Sequence, residues 1–201
     1  LEQAPGVYRI TSPIEKEFVM TLDQANFRQV LSQFASGVVV LTVKHADICH
    51  GMTVSSFCSL SLEPPMVLVC VNQISYCLDL IEQAQDFGIN ILDESGEWLS
   101  RHFATRSLSK FNEIPYRLSS TGVPLLAGAL ATIECRLVNR FPGGDHVILT
   151  GEVNNATIAR NTQPLIYFRR DYKHILPEGI SYADLAATPA SAAQNLPVVT
   201  T

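Results

Sequence analysis

Hydroxyl side chains crowd one stretch of the chain, residues 51–65 (GMTVSSFCSLSLEPP), where Thr53, Ser55, Ser56, Ser59 and Ser61 lie between apolar runs. A strand that gives so many positions to small polar groups forgoes the packing of Val or Ile, while hydroxyls and exposed backbone N–H groups can grip the polar atoms of a small molecule. Pro64 and Pro65 end the segment and set an extended entry into the next one. An ordinary half-exposed edge strand accounts for the same composition. Ser75 stands where an N-cap belongs, ahead of a helical pattern on Leu78, Leu80 and Ile81. A helix start that follows a strand end offers free N–H groups and partial positive charge to a phosphate, and a Ser capping its own helix explains the residue equally well. His146 follows Gly143, Gly144 and Asp145 at a hairpin mouth. Glycine backbone lets a ligand ring approach and the carboxylate can orient the imidazole, the alternative being a plain Gly-Gly-Asp turn with an exposed His. Arg101 and Lys110 border RHFATRSLSKF, a cationic stretch carrying Phe103. His102, beside an apolar face, is assigned no chemistry.

The elements that must position these groups can be read in order. Residues 1–20 form an arm with no sustained period, and the missing initiator Met suggests trimming. Asp23 suits an N-cap, and Phe27, Val30, Leu31 and Phe34 give a helix with one face turned inward, closed by Gly37 in a left-handed conformation. Residues 38–43 are a β-branched buried strand, 44–49 a polar connection, and 51–61 the hairpin partner. Strands are expected at 66–71 and 87–92, and a helix capped by Asp93 or Ser95 should hold Trp98, Leu99, His102 and Phe103. Residues 124–128 read as a loop. Ile133, Cys135 and Leu137 then alternate with Thr132, Glu134 and Arg136 as a half-buried strand, and 141–144 make the turn to its partner. A last strand over 165–169, closed by 171–175, finishes the domain (21–180), leaving 181–201 as a disordered or extended tail.

Composition narrows the function. With 201 residues, 47% hydrophobic and 16% charged, the chain suits one core. A formal net charge of -5, without a basic cluster, argues against nucleic acid as a partner. Five cysteines without a C-x-x-C pair read as buried free thiols in a reducing compartment, not as bridges or metal ligands. No apolar run approaches the roughly 20 residues of a membrane span, so a cytoplasmic protein is expected. No G-x-G-x-x-G, G-x-S-x-G, H-E-x-x-H or P-loop pattern is present. About six short strands joined mostly as antiparallel neighbours predict a mainly β fold with α, a barrel with helices packed outside, in preference to a doubly wound sheet.

Several blocks in order, FRQVLSQFASGVVVLT, GMTVSSFCSLSLEPPMVLVCVN, FGINIL, RHFA, GVPLLAGALATIEC, GDHVILTGEV and PLIYFRRDY, resemble the flavin reductase-like family from about Phe27 to Ile175. The resemblance implies an antiparallel split barrel of the FMN-binding type, a homodimer, and hydride transfer from NADH or NADPH to FMN or FAD, often to supply a monooxygenase partner. It implies that Thr53, Val54, Ser55 and Ser56 hold the flavin, with Cys70, Val71 and Asn72 on the adjacent strand end and Ser75 at the phosphate. Arg101, Phe103 and Lys110 then match a cationic patch near the phosphate or adenylate, and His146 and Tyr172 border the ring where nicotinamide stacks, His146 serving nicotinamide more than flavin. Many members read T-A-N-S where this chain has Thr53-Val54-Ser55-Ser56, and Ser for Asn shortens the polar reach, which leaves the choice of flavin open. A flavin- or haem-binding carrier or sensor, and a reductase of a bulky non-flavin acceptor, are the competing functions on the same barrel.

Overall fold

The computed structural model describes residues 23–175; the expected arm and tail lie outside them. Helix α1 (Gln24–Leu31) leads through β1 (Ser36–Gly37) into β2 (Val39–His45) and β3 (Ile48–Val54), a tight hairpin turned at Ala46 and Asp47. β4 (Phe57–Leu62) and β5 (Pro65–Asn72) form a second hairpin, followed by α2 (Tyr76–Ala84), β6 (Asp86–Leu92) and α3 (Glu97–Phe103). The short pair β7 (Tyr116–Leu118) and β8 (Pro124–Leu126) precedes the long hairpin of β9 (Ala129–Gly143) and β10 (His146–Ile158). β11 (Ile166–Phe168) and β12 (Asp171–Lys173) end the described chain.

Seven strands form one sheet in the order β3-β2-β6-β9-β10-β5-β4, every neighbour antiparallel. β3 and β4 occupy opposite edges of this order yet are consecutive in the chain, joined by Ser55 and Ser56 alone. The sheet therefore curls round until its edges meet at that corner, a barrel split along one seam. Register shifts in the β9–β10 pair at Thr150/Gly151 and Val153/Asn155 add local twist.

β2 reads as an unbroken apolar run because both its faces are covered. Val39, Leu41 and Val43 point into the barrel with Val69, Val71, Phe87, Ile89 and Leu149, where α2 adds Cys77, Leu78, Leu80 and Ile81. Val38 and Val40 belong to an outer cluster with Leu99 and Phe103 of α3, Leu126 and Leu165. Gly151 permits the tight interior: a Cβ there would lie 2.5 Å from the ring of the fully buried Phe87. Asn90, wholly buried, donates to the Val40 carbonyl (3.0 Å) and accepts from the Leu126 N–H (2.7 Å), fastening β8 to the sheet.

Several sequence expectations are corrected. α1 is capped by Asp23, whose carboxylate accepts from Asn26 N (2.8 Å), but it stops at Leu31 and buries none of its residues. Phe27, Val30, Leu31 and Phe34 are all exposed, and Gly37 lies in β1 without a positive φ. Residues 51–61 are not one strand, because the corner at Ser55–Ser56 sends the first half to one sheet edge and the second to the other. Residues 124–126 form β8, fully buried, where Pro124 suggests a loop. In β9, Thr132 and Glu134 are buried, since Asn155 of the neighbouring strand donates to the Glu134 carboxylate (3.0 Å). Of the five free cysteines only Cys77 and Cys135 are buried, and Cys58 on edge strand β4 is exposed. No helix among the described residues is long and apolar enough to cross a membrane.

Candidate functional site

Three adjoining cavities follow the seam, and each takes at least one wall residue from Thr53, Val54, Ser55 and Ser56. The first, of about 490 Å³, lies between β3, the start of α2 and the segment after α3, with Thr53, Asn72, Ser75, Phe103 and Lys110 in its wall. A smaller one of about 190 Å³, walled by Val54, Ser55, Ser100 and Tyr172, shares Thr53 and Ala104 with it. Ser55 and Tyr167 continue into a third of about 590 Å³, which Ser56 also borders.

Within this groove the roles of the predicted residues divide. Thr53 donates its hydroxyl to the Ser100 carbonyl (2.6 Å), tying β3 to α3. Ser56 Oγ donates to the Cys70 carbonyl (2.9 Å) while its own carbonyl accepts from Cys70 N (3.1 Å), so it begins the β4–β5 ladder, and only Ser55 is left free-standing at the corner. Val71 is fully buried in the core and presents no side chain to a ligand. Asn72 caps the turn after β5 by accepting from Ile74 N (3.0 Å). Ser75 holds the N-cap position of α2 but makes no side-chain cap bond, its hydroxyl meeting the Met52 sulfur at 3.3 Å. The first N–H groups of α2 thus keep their partial positive charge at the cavity wall.

Lys110 is nine-tenths buried, and its Nζ donates to the carbonyls of Gly51 and Phe103, each at 2.9 Å. It is the bolt that fixes the loop after α3 against β3, where the sequence shows the border of a cationic stretch. Burial lowers its pKa. Arg101 lies outside the cavity walls, paired with Glu97 (2.7 Å) and stacked over the Tyr172 ring (4.9 Å). Tyr172 shares a hydrogen bond with Ser100 Oγ (2.7 Å), so ring and hydroxyl are both fixed. His146 sits opposite Asn72 across the β10–β5 pair, and its Nδ1 meets the Asp145 carboxylate at 2.7 Å, which pulls Asp145 below the ordinary carboxylate range.

His50, Tyr76 and Arg106 were not singled out by the sequence. His50 is buried in the wall of the first cavity, edge-on to Tyr76 with ring centroids 5.4 Å apart, and its Nδ1 has no partner within the fold. Burial, and secondarily the Lys110 ammonium, push its pKa down to about 4, so it is neutral at pH 7. Arg106 borders the same cavity and has no hydrogen-bond or ion-pair partner among the described residues. Only the position of His50 directly before Gly51 in the opening stretch hinted at it; the doubling of burial on β3 that traps it is a tertiary effect.

A family model for the flavin reductase like domain matches residues 31–176. The chain belongs to the flavin reductase-like family. This member is 38% identical over 159 residues to the reductase subunit HsaB of a flavin-dependent monooxygenase from Mycobacterium tuberculosis, covering 78% of this chain and 85% of the relative. It is 39% identical over 168 residues to the reductase component of a 4-nitrophenol 4-monooxygenase/4-nitrocatechol 2-monooxygenase from Rhodococcus opacus, covering 84% and 90%. Among solved structures, nitrilotriacetate monooxygenase component B from Mycobacterium thermoresistibile superposes with a TM-score of 0.75 at 37% identity, covering 79% of this chain and 89% of that one. The NADH:FAD oxidoreductase of Streptomyces globisporus, solved with NAD and FAD fragments, gives 0.75 at 33% identity, covering 79% and 96%. The flavin reductase-like chain thus shares the split barrel of these proteins over nearly all its described residues.

Proposed function

We propose that the protein is an NAD(P)H-dependent flavin reductase that takes FMN or FAD into the groove formed by the first two cavities. The observation that carries this reading is the joined groove itself: a narrow apolar-sided part at Val54 and Tyr172 opens into a wider part holding the uncapped start of α2, the unpaired Arg106 and the partnerless His50. A planar ring with a phosphorylated polar tail fits that sequence of surfaces. Flavin bound there supplies the hydride acceptor, and the protein need provide only placement and exclusion of water. Ser100 fixes Tyr172 at the groove wall. The uncapped α2 start and Arg106 offer charge to a phosphate. Asp145 orients His146 at the hairpin mouth, from which an imidazole can hydrogen-bond the incoming nicotinamide dinucleotide.

Work as a homodimer and delivery of reduced flavin to a monooxygenase partner extend the same reading. The exposed apolar face of α1 and the names of the relatives support them. Five cysteines, none bridged, fit a cytoplasmic setting. The test is a flavin titration followed by NADH and NADPH oxidation with and without added flavin. Flavin binding and flavin-dependent oxidation are expected, and the absence of both defeats the proposal. Light scattering at micromolar concentration checks the dimer.

A further inference from the structure

Two hydroxyl groups meet at the narrow cavity beside Val54, and only one of their protons can lie between them. Ser100 Oγ and Tyr172 Oη stand 2.7 Å apart, and both residues wall this space of about 190 Å³. A serine inside a helix ordinarily turns its hydroxyl back to the carbonyl one turn earlier. That of Ser100 instead crosses from α3 to β12, and Tyr172 Oη is its sole hydrogen-bond partner among the described residues. Each hydroxyl has one proton to give and two lone pairs to accept with, so either group could donate. If the phenol donated, the Ser100 proton would have no acceptor, on a residue with no exposed surface, an arrangement that folds avoid. If Ser100 donates, the proton left over is that of Tyr172, a half-buried residue at a cavity. Burial therefore gives the shared proton to Ser100 and leaves Tyr172 with a free one.

The ring that carries this donor is held in place. The Arg101 guanidinium lies over it, 4.9 Å from the centroid, and Tyr167 meets it edge-on at 5.4 Å. A phenolic O–H keeps close to the plane of its ring, which leaves it two orientations, one on each side of the C–O bond. With the Ser100 proton on one side, the Tyr172 proton takes the other. The same serine accepts at its backbone carbonyl from Thr53 Oγ1 (2.6 Å), so one residue of α3 holds two members of the cavity wall.

We propose that Tyr172 donates its hydroxyl proton to the flavin ring, and that Ser100 is the positioning residue that turns this proton into the groove. The inference rests on the flavin reductase reading and adds to it a hydrogen bond that favours the reduced ring. A donor set in advance is worth more against the negative charge that reduction brings to an acceptor than against the oxidised form, and it needs no reorganisation when the electrons arrive. Flavin is favoured over nicotinamide as the acceptor because Tyr172 shares its cavity with Thr53, Val54 and Ser55, the stretch that the family resemblance gives to flavin.

The experiment measures the Kd of FMN and of FAD, each oxidised and each reduced anaerobically with dithionite. It compares wild type with Tyr172→Phe, Ser100→Ala and the double variant, and records the KM for NADH of each. Tyr172→Phe should weaken reduced flavin about five- to tenfold more than oxidised flavin, which lowers the midpoint potential of the bound ring by about 20–30 mV for two electrons. Ser100→Ala should move the same ratio about two- to fivefold in the same direction and add nothing in the Tyr172→Phe background, because it acts only through the phenol. A serine that merely braces α3 against β12 would weaken both redox forms alike, and that result overturns the proposal. So does an effect of Ser100→Ala that is equal in both backgrounds, or a ratio that Tyr172→Phe leaves unchanged. A raised KM for NADH at an unchanged flavin ratio assigns the phenol to nicotinamide and overturns it as well. A wild-type protein that binds neither flavin removes the functional reading and this inference with it.

Discussion

Replacing His50 by Phe should flatten the acid limb of the stability curve. The substitution keeps a ring against Tyr76 and removes the titrating nitrogens from a buried site. Folded His50 is pulled from 6.5 to about 4, so on acidification the unfolded chain takes up the proton first. Stability is unaffected by this residue above pH 6.5, falls as the pH drops from there to about 4, and is constant below. At about 1.36 kcal/mol for each pH unit the ceiling is about 3 kcal/mol, and screening by water in the adjoining cavity reduces it to about 1.5–2 kcal/mol. Urea unfolding of the flavin-free protein, followed by far-UV circular dichroism at fixed protein concentration from pH 7.5 to 4, measures both curves. The wild type should lose about 1.5–2 kcal/mol more than the variant over that range. Parallel curves would mean that His50 is protonated in the fold, and the account of its burial would be wrong.

Lys110→Met should destabilise the protein by about 2–4 kcal/mol, since two hydrogen bonds from a charged donor are lost and part of that is offset by no longer burying an ammonium; an unchanged urea midpoint would contradict the bolt described for Nζ. Gly151→Ala, which sets a methyl 2.5 Å from the buried Phe87 ring, should lower stability by about 1–3 kcal/mol, read as a drop in Tm. His146→Ala should reduce kcat/KM for NAD(P)H from a few-fold to about a hundredfold while moving flavin Kd little. Collapse of flavin affinity with normal NAD(P)H kinetics would make His146 a flavin ligand instead.

Strand β2 was legible because its β-branched run serves two packed faces, β5 because its alternate valines, Val67, Val69 and Val71, serve one, and the start of α2 because Ser75 follows a strand end. What local pattern cannot carry is where a strand goes next. Nothing between Thr53 and Ser61 marks the corner, since Ser is compatible with ladder and turn alike, and the sheet edge to which β4 returns is decided by its pairing with β5. The bracing role of Lys110 cannot be read from the cationic stretch it borders, because its partners, the carbonyls of Gly51 and Phe103, have no signature in side-chain type. The helical period of α1 announced an apolar face correctly, but its destination depends on surfaces that residues 23–175 do not bring to it. The ordered family blocks pointed to Thr53, Val54, Ser55, Asn72, Ser75 and Tyr172, which line adjoining cavities, while the division between residues that wall them and residues that brace them required the hydrogen bonds.

The two-residue joint at Ser55 and Ser56 also bears on solubility. An open seven-stranded sheet offers two rows of unsatisfied backbone donors and acceptors, each able to recruit a strand from another molecule. Here the edge strands β3 and β4 are tethered to each other at the seam, so each edge lies where its own chain limits the approach of a foreign strand. Lengthening that joint with a flexible insertion would let the edges part. The expected consequence is oligomers or fibrils that grow edge to edge, in a protein whose core residues are all unchanged.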